Sequence, residues 1–467
     1  MNEPAKPGRY PRQTFFIVGN EAAERFSFYG MTSILFIYMS KDLGFGDGVA
    51  TARYHFFTAA VYYMPLLGGF LADRFFGRYR IILWVSFLYL AGHATLAVWD
   101  GPWGLLAGCA LIALGAGGIK PCVSAFVGDQ FTKDQKSLLE RAYGWFYFAI
   151  NVGALIGQPL IPFLKDLSEL DKAGHASLTR HQATQLAFGV PGLAMALALI
   201  IYVAGRNLYV KAPPTGRNPN GFLRVLFGSG FDLKAAEQKF PPDVVNGVRA
   251  ALRVAAVFVP CIVFWSLFYQ YGSSWVGQAE AMDRFFPGFE KPFPASSIST
   301  LNGLFVLMLI PIMNRIYAAL EKSGRNVTPL RKMAIGMFIT PLAFVSAAII
   351  QIWIGQGSHP HVAWQIIQYF LLSLGEVLVS VTALEFAYTQ APPNMKSVIM
   401  GLWFVTIGTG TLLTGVIAEL NVFSGATFYW FFTGLQLVAA VAFTAVAAWY
   451  KPALKETMVE QPAQQAA

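Results

Sequence analysis

RNLYVKAPPTGRNPNGFLRVLFGSGFDLKAAEQKFPPDVVN, residues 206–246, is the longest polar stretch of the chain and divides it in two. It contains Pro213, Pro214, Pro219, Pro241 and Pro242, and with the flanking Arg249 and Arg253 it carries eight basic residues. It is too polar to hide a membrane span and reads as a cytoplasmic linker, with a short amphipathic helix near Phe231–Phe240. Outward from it, six apolar stretches precede and six follow, each about 18 residues or longer and so able to cross a ~30 Å hydrocarbon core. The expected spans are 14–40, 52–73, 81–99, 103–128, 142–163, 185–205, 250–273, 297–314, 333–354, 361–389, 398–420 and 426–449. The expectation is an all-α integral membrane protein with twelve transmembrane helices. Residues 1–205 form a first six-helix bundle, 206–249 the linker, 250–450 a second six-helix bundle, and 451–467 a cytoplasmic tail. Two such halves joined by a basic loop describe a rocking transporter with its site near the midplane.

Composition agrees. Of 467 residues, 55% are hydrophobic and 13% charged, against about 25% charged in soluble domains. Secreted disulfide scaffolds, disordered chains and ordinary cytosolic enzymes are excluded. The net charge of +9 is topology rather than a nucleic-acid footprint: with both termini in the cytoplasm, 25 of the 34 Lys and Arg residues fall on that side, as the positive-inside rule requires. The first apolar run is too long for a signal peptide and contains two glutamates, so it is expected to remain as the first span. Cys109, Cys122 and Cys261 lie in apolar runs without metal-ligand spacing, and no cofactor or metal is expected.

A charge at the bilayer centre costs at least ~2.5–3.5 kcal/mol on insertion scales, so each one needs a reason. The first helix holds Glu21, Glu24 and Arg25. Residues three and four apart share a helix face, which puts Glu21 beside both Glu24 and Arg25, with Tyr29 continuing the stripe. Two carboxylates and one guanidinium leave one negative charge in surplus, and crowded carboxylates in low dielectric can hold a proton reversibly. The bland reading, Arg25 as packing glue, is the weaker one, because ionisable groups inside a membrane are functional by default. Lys120 sits in the glycine-rich turn Gly115–Pro121 and can pair with Glu21 or Glu24, hold an anionic substrate group, or form a purely structural ion pair. On the tenth helix, nine residues separate Glu376 and Glu385, which places them on opposite faces of an ideal helix. Glu376, nearer mid-span, suits a cationic substrate group. Glu385 lies towards the cytoplasmic end and suits a gate or a structural partner. His55, at the outer end of the second helix, can titrate near neutral pH; His93 reads as an ordinary hydrogen-bonded histidine. His175, His181, His359 and His361 fall in or beside outer loops. Tyr29, Tyr62, Tyr63, Tyr147, Trp265 and Trp403 offer amphipathic walls.

Three strings carry a resemblance. Glu21-Ala22-Ala23-Glu24-Arg25-Phe26 resembles the first-helix E-x-x-E-R-F motif of the proton-dependent oligopeptide transporters, within the major facilitator superfamily. Gly117-Gly118-Ile119-Lys120-Pro121 through Phe131 resembles their fourth-helix signature, and Phe146-Tyr147-Phe148-Ala149-Ile150-Asn151-Val152-Gly153 their fifth-helix signature. The resemblance implies proton-coupled import of di- and tripeptides by alternating access, at the cell membrane, by a monomer. It places Glu21, Glu24, Arg25 and Lys120 at coupling positions. Lys120 would meet the peptide carboxylate and Glu376 its amino terminus. Tyr29, Tyr62, Asn151, Asn302 and Trp403 fall at pocket-lining positions, and His55 at that of a histidine used on the outer side by animal members. Thr32, Tyr269 and Ser274 depart from the family pattern, which commonly has arginine, an acid and arginine there. These departures put the outer gate ion pairs in doubt and leave Lys120 more of the carboxylate recognition. Two alternatives stand beside this reading: a transporter of the same fold for nitrate, a glycoside or a drug, and a non-transporting substrate sensor. An enzyme is not expected, since no nucleophile set, metal-ligand spacing or phosphate loop is present.

Overall fold

The computed structural model describes residues 10–168, 177–216, 218–325, 327–390, 392 and 395–450. The expected tail at 451–467 and His175 lie outside the described residues. The first half contains α1 (Gln13–Ile37), α2 (Asp47–Leu71), α3 (Arg78–Val98), α4 (Pro102–Gly128), α5 (Lys136–Lys165) and α6 (Arg180–Ala204). The linker forms α7 (Phe222–Gly228) and α8 (Leu233–Lys239). The second half contains α9 (Pro242–Phe258), α10 (Cys261–Phe268), α11 (Ser274–Glu280), α12 (Thr300–Lys322), α13 (Pro329–Gly355), α14 (Gln365–Glu376), α15 (Thr382–Gln390), α16 (Lys396–Leu420) and α17 (Ala426–Trp449).

Among the described residues, ten helices are long and apolar enough to cross a membrane, and the bent run Pro242–Glu280 makes an eleventh. α1 completes twelve; the buried charges at Glu21, Glu24 and Arg25 lower its hydropathy without shortening it. The seventh span departs from the expected single run at 250–273. It starts at Pro242 and bends by 49° between Phe258 and Cys261, where Pro260 supplies no N–H to continue the ladder. The tenth span is also interrupted, by a π turn at Val377–Val381 between α14 and α15. The linker holds two short helices where one was expected near 231–240.

Helix starts and stops follow local chemistry. Thr179 and Gln182 form a reciprocal capping box before α6, and Pro102, Pro242 and Pro329 occupy first turns, where a missing N–H costs nothing. Gly77 turns the chain from α2 to α3 with φ 78°, a region open to glycine.

Helices pack through small residues, as membrane interfaces require. A Cβ at Gly153 would lie 2.4 Å from the Ala22 carbonyl oxygen, and one at Gly157 2.5 Å from that of Phe26, so α5 lies directly on α1. Gly68 meets Gly117 in the same way between α2 and α4. Across the halves, Gly401, Gly408 and Gly415 recur every seventh residue of α16 and receive Leu66, Tyr63 and Phe56 of α2. The linker is docked at both ends. Val210 donates to Gln130 Oε1 (2.9 Å) and accepts from Gln130 Nε2 (3.2 Å). Gly216 N and Thr215 Oγ1 both donate to the Asp73 carbonyl at 3.1 Å. Further on, Val225, Leu226 and Ala236 pack with Val244, Val245, Val248 and Met395 as a separate small core against the second half.

Gly153→Leu should destabilise the fold by about 1–3 kcal/mol or more, because the side chain meets backbone that cannot yield. Gly144→Leu, where a Cβ meets open space, should be nearly neutral. Thermal unfolding of both variants in detergent checks the contrast.

Candidate functional site

A cavity of about 350 Å³ lies between the halves. Of the sequence-derived site residues, Tyr29, Tyr62, Asn151, Asn302, Glu376 and Trp403 line it, together with Tyr147 and Trp265. α1, α2 and α5 present one wall; α10, α12, α14 and α16 present the other.

The acidic cluster sits just behind the first wall. Arg25 Nε lies 3.0 Å from Glu21 Oε1 and 2.5 Å from Glu24 Oε2. All three side chains are buried, Glu24 completely. The guanidinium also lies 5.9 Å from the centroid of the Phe28 ring. Lys120 approaches that ring at 4.6 Å and the Tyr62 ring at 4.3 Å. Two cations thus share one aromatic ring, and that ring lines the cavity. Among the described residues no carboxylate lies within ion-pair distance of Lys120, so its expected pairing with Glu21 or Glu24 is not formed in this state. Ring faces stabilise such a cation where water is scarce. The surplus of one negative charge on α1 is balanced at longer range by this one ammonium.

The opposite wall carries the complementary sign. Asn302 Nδ2 donates to Glu376 Oε2 at 2.9 Å and to Ser373 Oγ at 3.1 Å. Both contacts use amide donors, which orients the carboxylate towards the cavity. Asn151 Nδ2 donates to the Tyr147 carbonyl at 2.8 Å, leaving its Oδ1 free of that bond. Trp403 is braced by Phe258 and Trp265, and the buried Trp265 indole N–H has no hydrogen-bond partner among the described residues. Glu385 is not among the lining residues and is exposed on α15. The π turn between it and Glu376 alters the ideal-helix angle without bringing the two together.

At the end opposite the linker the halves are joined. Arg53 Nη2 lies 3.0 Å from Glu419 Oε1 and Lys41 Nζ 3.6 Å from Glu280 Oε2. His55 Nε2 is 3.0 Å from Ser273 Oγ and Gln158 Nε2 donates to Ser299 Oγ at 2.9 Å; at mid-span, Tyr63 and Thr409 share a hydroxyl bond of 2.9 Å. The Tyr269 hydroxyl bonds that of Tyr62, so the residue that departs from the family's acid still crosses the halves. Ser274 donates to Gln270 at 3.0 Å. Thr32 lines the cavity, but its hydroxyl turns back to the Phe28 and Tyr29 carbonyls. His55 is wholly buried and its Nδ1 has no hydrogen-bond partner among the described residues. His93, likewise buried, bonds Ser27 at 2.8 Å and stacks on Tyr89. Tyr147, half exposed, continues the cavity towards the linker end.

Sequence reasoning missed Arg53, Glu419, Ser273 and the Tyr62–Tyr269 bond. Opposite charges at matching ends of the second and eleventh spans were a usable signal for the first two; nothing in the spacing announces the others.

A sequence model of the POT family matches residues 79–239 and 234–431. The chain belongs to the POT family. Peptide transporter 3 of Caenorhabditis elegans is 38% identical over 371 residues, which are 74% of this chain and 52% of the relative. Human solute carrier family 15 member 1 is 34% identical over 428 residues, 84% of this chain and 59% of the relative. The chain thus spans about half the length of the curated relatives it matches. The crystal structure of the POT family transporter PepTSo superposes with a TM-score of 0.85 at 35% identity, covering 95% of this chain and 99% of that one. An auto-inhibited POT family peptide transporter gives the same TM-score and identity over 94% and 98%. The fold is that of the major facilitator superfamily, and the protein is a multi-span membrane protein.

Arg53 and Glu419 are 45% and 40% exposed, so their bridge contributes only 0.2–1 kcal/mol by analogy with measured exposed pairs. Arg53→Gln should therefore raise labelling of a Thr58→Cys reporter from the far side by up to about fivefold. Reaction rates with a membrane-impermeant thiol reagent report this directly.

Proposed function

We propose that this POT family member is a proton-coupled symporter importing di- and tripeptides by alternating access, and not an enzyme. The observation that carries the reading is a cavity with an ammonium behind one wall and a carboxylate on the other, each on a different half. A small zwitterion bridging Lys120 and Glu376 would draw the halves together at a distance its backbone sets. The aromatic walls contact side chains of many shapes without demanding one. The expected function of the peptide-transporter relatives points the same way.

In this proposal the linker end faces the cytoplasm, with both termini there and the cell membrane as the site of action. Basic residues concentrate at that end, as the positive-inside rule predicts. The closed far end is then outside, and the state described is inward-facing. The two bundles, 1–205 and 250–450, rock as units about the cavity, and the protein works as a monomer.

The cycle begins with the far-end bridges parted. A proton reaches Glu21 or Glu24, by way of His55 when its bond to Ser273 is broken. Neutralising one carboxylate leaves Arg25 to balance the other, and Lys120 is no longer drawn to the cluster. It rests instead on Phe28 and Tyr62, one ring away from the cavity, and takes the peptide carboxylate. Glu376, held by Asn302, takes the peptide ammonium. Tyr29, Tyr62, Asn151 and Trp403 line the space between. Closure re-forms Arg53–Glu419 and Lys41–Glu280, and the proton leaves towards the cytoplasm. Glu385, exposed near that end, gates the exit. Each inward charge gains about 2.3 kcal/mol per 100 mV of membrane potential, which drives the cycle in one direction.

Uptake of labelled dialanine into proteoliposomes under an imposed pH gradient tests the proposal; absence of gradient-dependent uptake defeats it. Glu21→Gln and Glu24→Gln should each abolish proton-driven uptake while peptide counterflow persists, and persistence of driven uptake in both rules out the coupling assignment. Glu376→Gln should weaken dialanine binding by about 10–100-fold, the range for a hydrogen bond to a charged group. It should leave N-acetylated dialanine, already lacking the ammonium, little changed. Competition binding on purified protein separates the two.

A further inference from the structure

A second cavity, of about 600 Å³, lies on the flank of the first half. α1 and the turn after it supply Leu35, Met39 and Phe45; α2 supplies Phe56, Phe57 and Ala60; α4 supplies Leu106 and Ala110. Leu106 is 60% exposed and Trp103, at its rim, 72%, so the cavity opens sideways to the bilayer. Phenylalanine walls and an alanine-lined side make the groove apolar. Trp103 marks the depth of the headgroups, where indole rings concentrate.

Among the described residues the lining contains one charged side chain. Arg53 lies at its edge, and a single contact of its guanidinium, to Glu419, crosses to the other half. A guanidinium has five N–H donors in a planar fork, and this one engages a carboxylate through one nitrogen. Its face meets the Phe56 ring at 5.8 Å, which holds it over the groove. Phe56 itself presses on Gly415 of α16. The groove, the cation and the far-end closure therefore share two residues.

We infer that the flank cavity is a binding site for an anionic phospholipid, with one acyl chain in the groove and the headgroup on Arg53. Charge complementarity selects this occupant: a zwitterionic lipid would set its own ammonium near Arg53, whereas a net-negative headgroup gains from the unused donors. A phosphate accepts from two guanidinium nitrogens at once, and so competes with Glu419 for Arg53. Bound lipid loosens one far-end bridge and favours the state open at that end. The inference does not depend on the identity of the transported solute.

Native mass spectrometry of the full chain, titrated with phosphatidylglycerol or phosphatidylcholine of matched chains, tests it. Wild type should retain phosphatidylglycerol about fivefold more strongly, the worth of one basic residue near an anionic headgroup. Ala110→Trp, an exposed position where bulk projects into the groove, should lose the tightly held lipid. Arg53→Gln should bind both lipids equally, and Glu419→Gln should retain or strengthen the preference. Equal retention of the two lipids by wild type, or an unchanged preference in Ala110→Trp and Arg53→Gln, overturns the site. Should Ala110→Trp fail to fold, bromine-labelled lipids serve instead. The fluorescence lost on Trp103→Phe should be quenched more by brominated phosphatidylglycerol than by brominated phosphatidylcholine, and equal quenching refutes the proposal. Phosphatidylglycerol should also raise far-side labelling at Thr58→Cys in wild type but not in Arg53→Gln; no rise in wild type removes the link to gating.

Discussion

Charge confined to low dielectric has to be balanced locally, and α1 carries two acids with one base. Most of the central architecture answers to that imbalance. Gly153 and Gly157 bring α5 against the backbone of α1, so Arg25 stays enclosed with its two carboxylates. Lys120 supplies the missing positive charge from α4 without touching either acid, cushioned on Phe28 and Tyr62. A direct ion pair would satisfy the same balance, and the two arrangements differ in the placement of one flexible side chain. Small energetic differences can then decide which is occupied. That is the property a coupled carrier needs and a merely structural ion pair lacks.

The remaining polar groups are distributed by the plane between the halves. Glu376 and Asn302 stand on the second half and Lys120 on the first, so a ligand touching both senses their separation. Tyr62 takes part in two of these arrangements: its ring carries Lys120 and its hydroxyl meets Tyr269. Movement of the lysine and engagement of the halves are therefore mechanically adjacent. Glycine every seventh residue along α16 lets this seam close tightly, and ion pairs at its exposed end add modest strength that is easily surrendered.

Much of this was legible in the residue pattern. Hydrophobic run length gave the spans, since every spanning helix must satisfy its own backbone and so announces itself. Intramembrane charges gave Glu21, Glu24, Arg25, Lys120 and Glu376, because burial makes them costly enough to be noticed. Asn151 and Asn302 came only from family resemblance, for asparagine is not unusual in a helix. What stayed hidden depends on pairing across the halves: Tyr62 with Tyr269, His55 with Ser273, Arg53 with Glu419. Those partners are hundreds of positions apart and ordinary in kind. The break at Pro260 and the π turn after Glu376 were also invisible to a reading that treats each span as one regular helix.

The linker imposes a geometric limit of its own. Its first stretch is buttoned to Asp73 and Gln130 on one bundle, and its helices are seated on α9 and Met395 of the other. Five residues separate the last fastening, Gly216, from the start of α7 at Phe222. Fully drawn out, that span reaches about 20 Å. The linker end is thus on a short leash: the anchor points on the two bundles cannot part beyond that length, and longer inserted loops would relax the stop without altering the site.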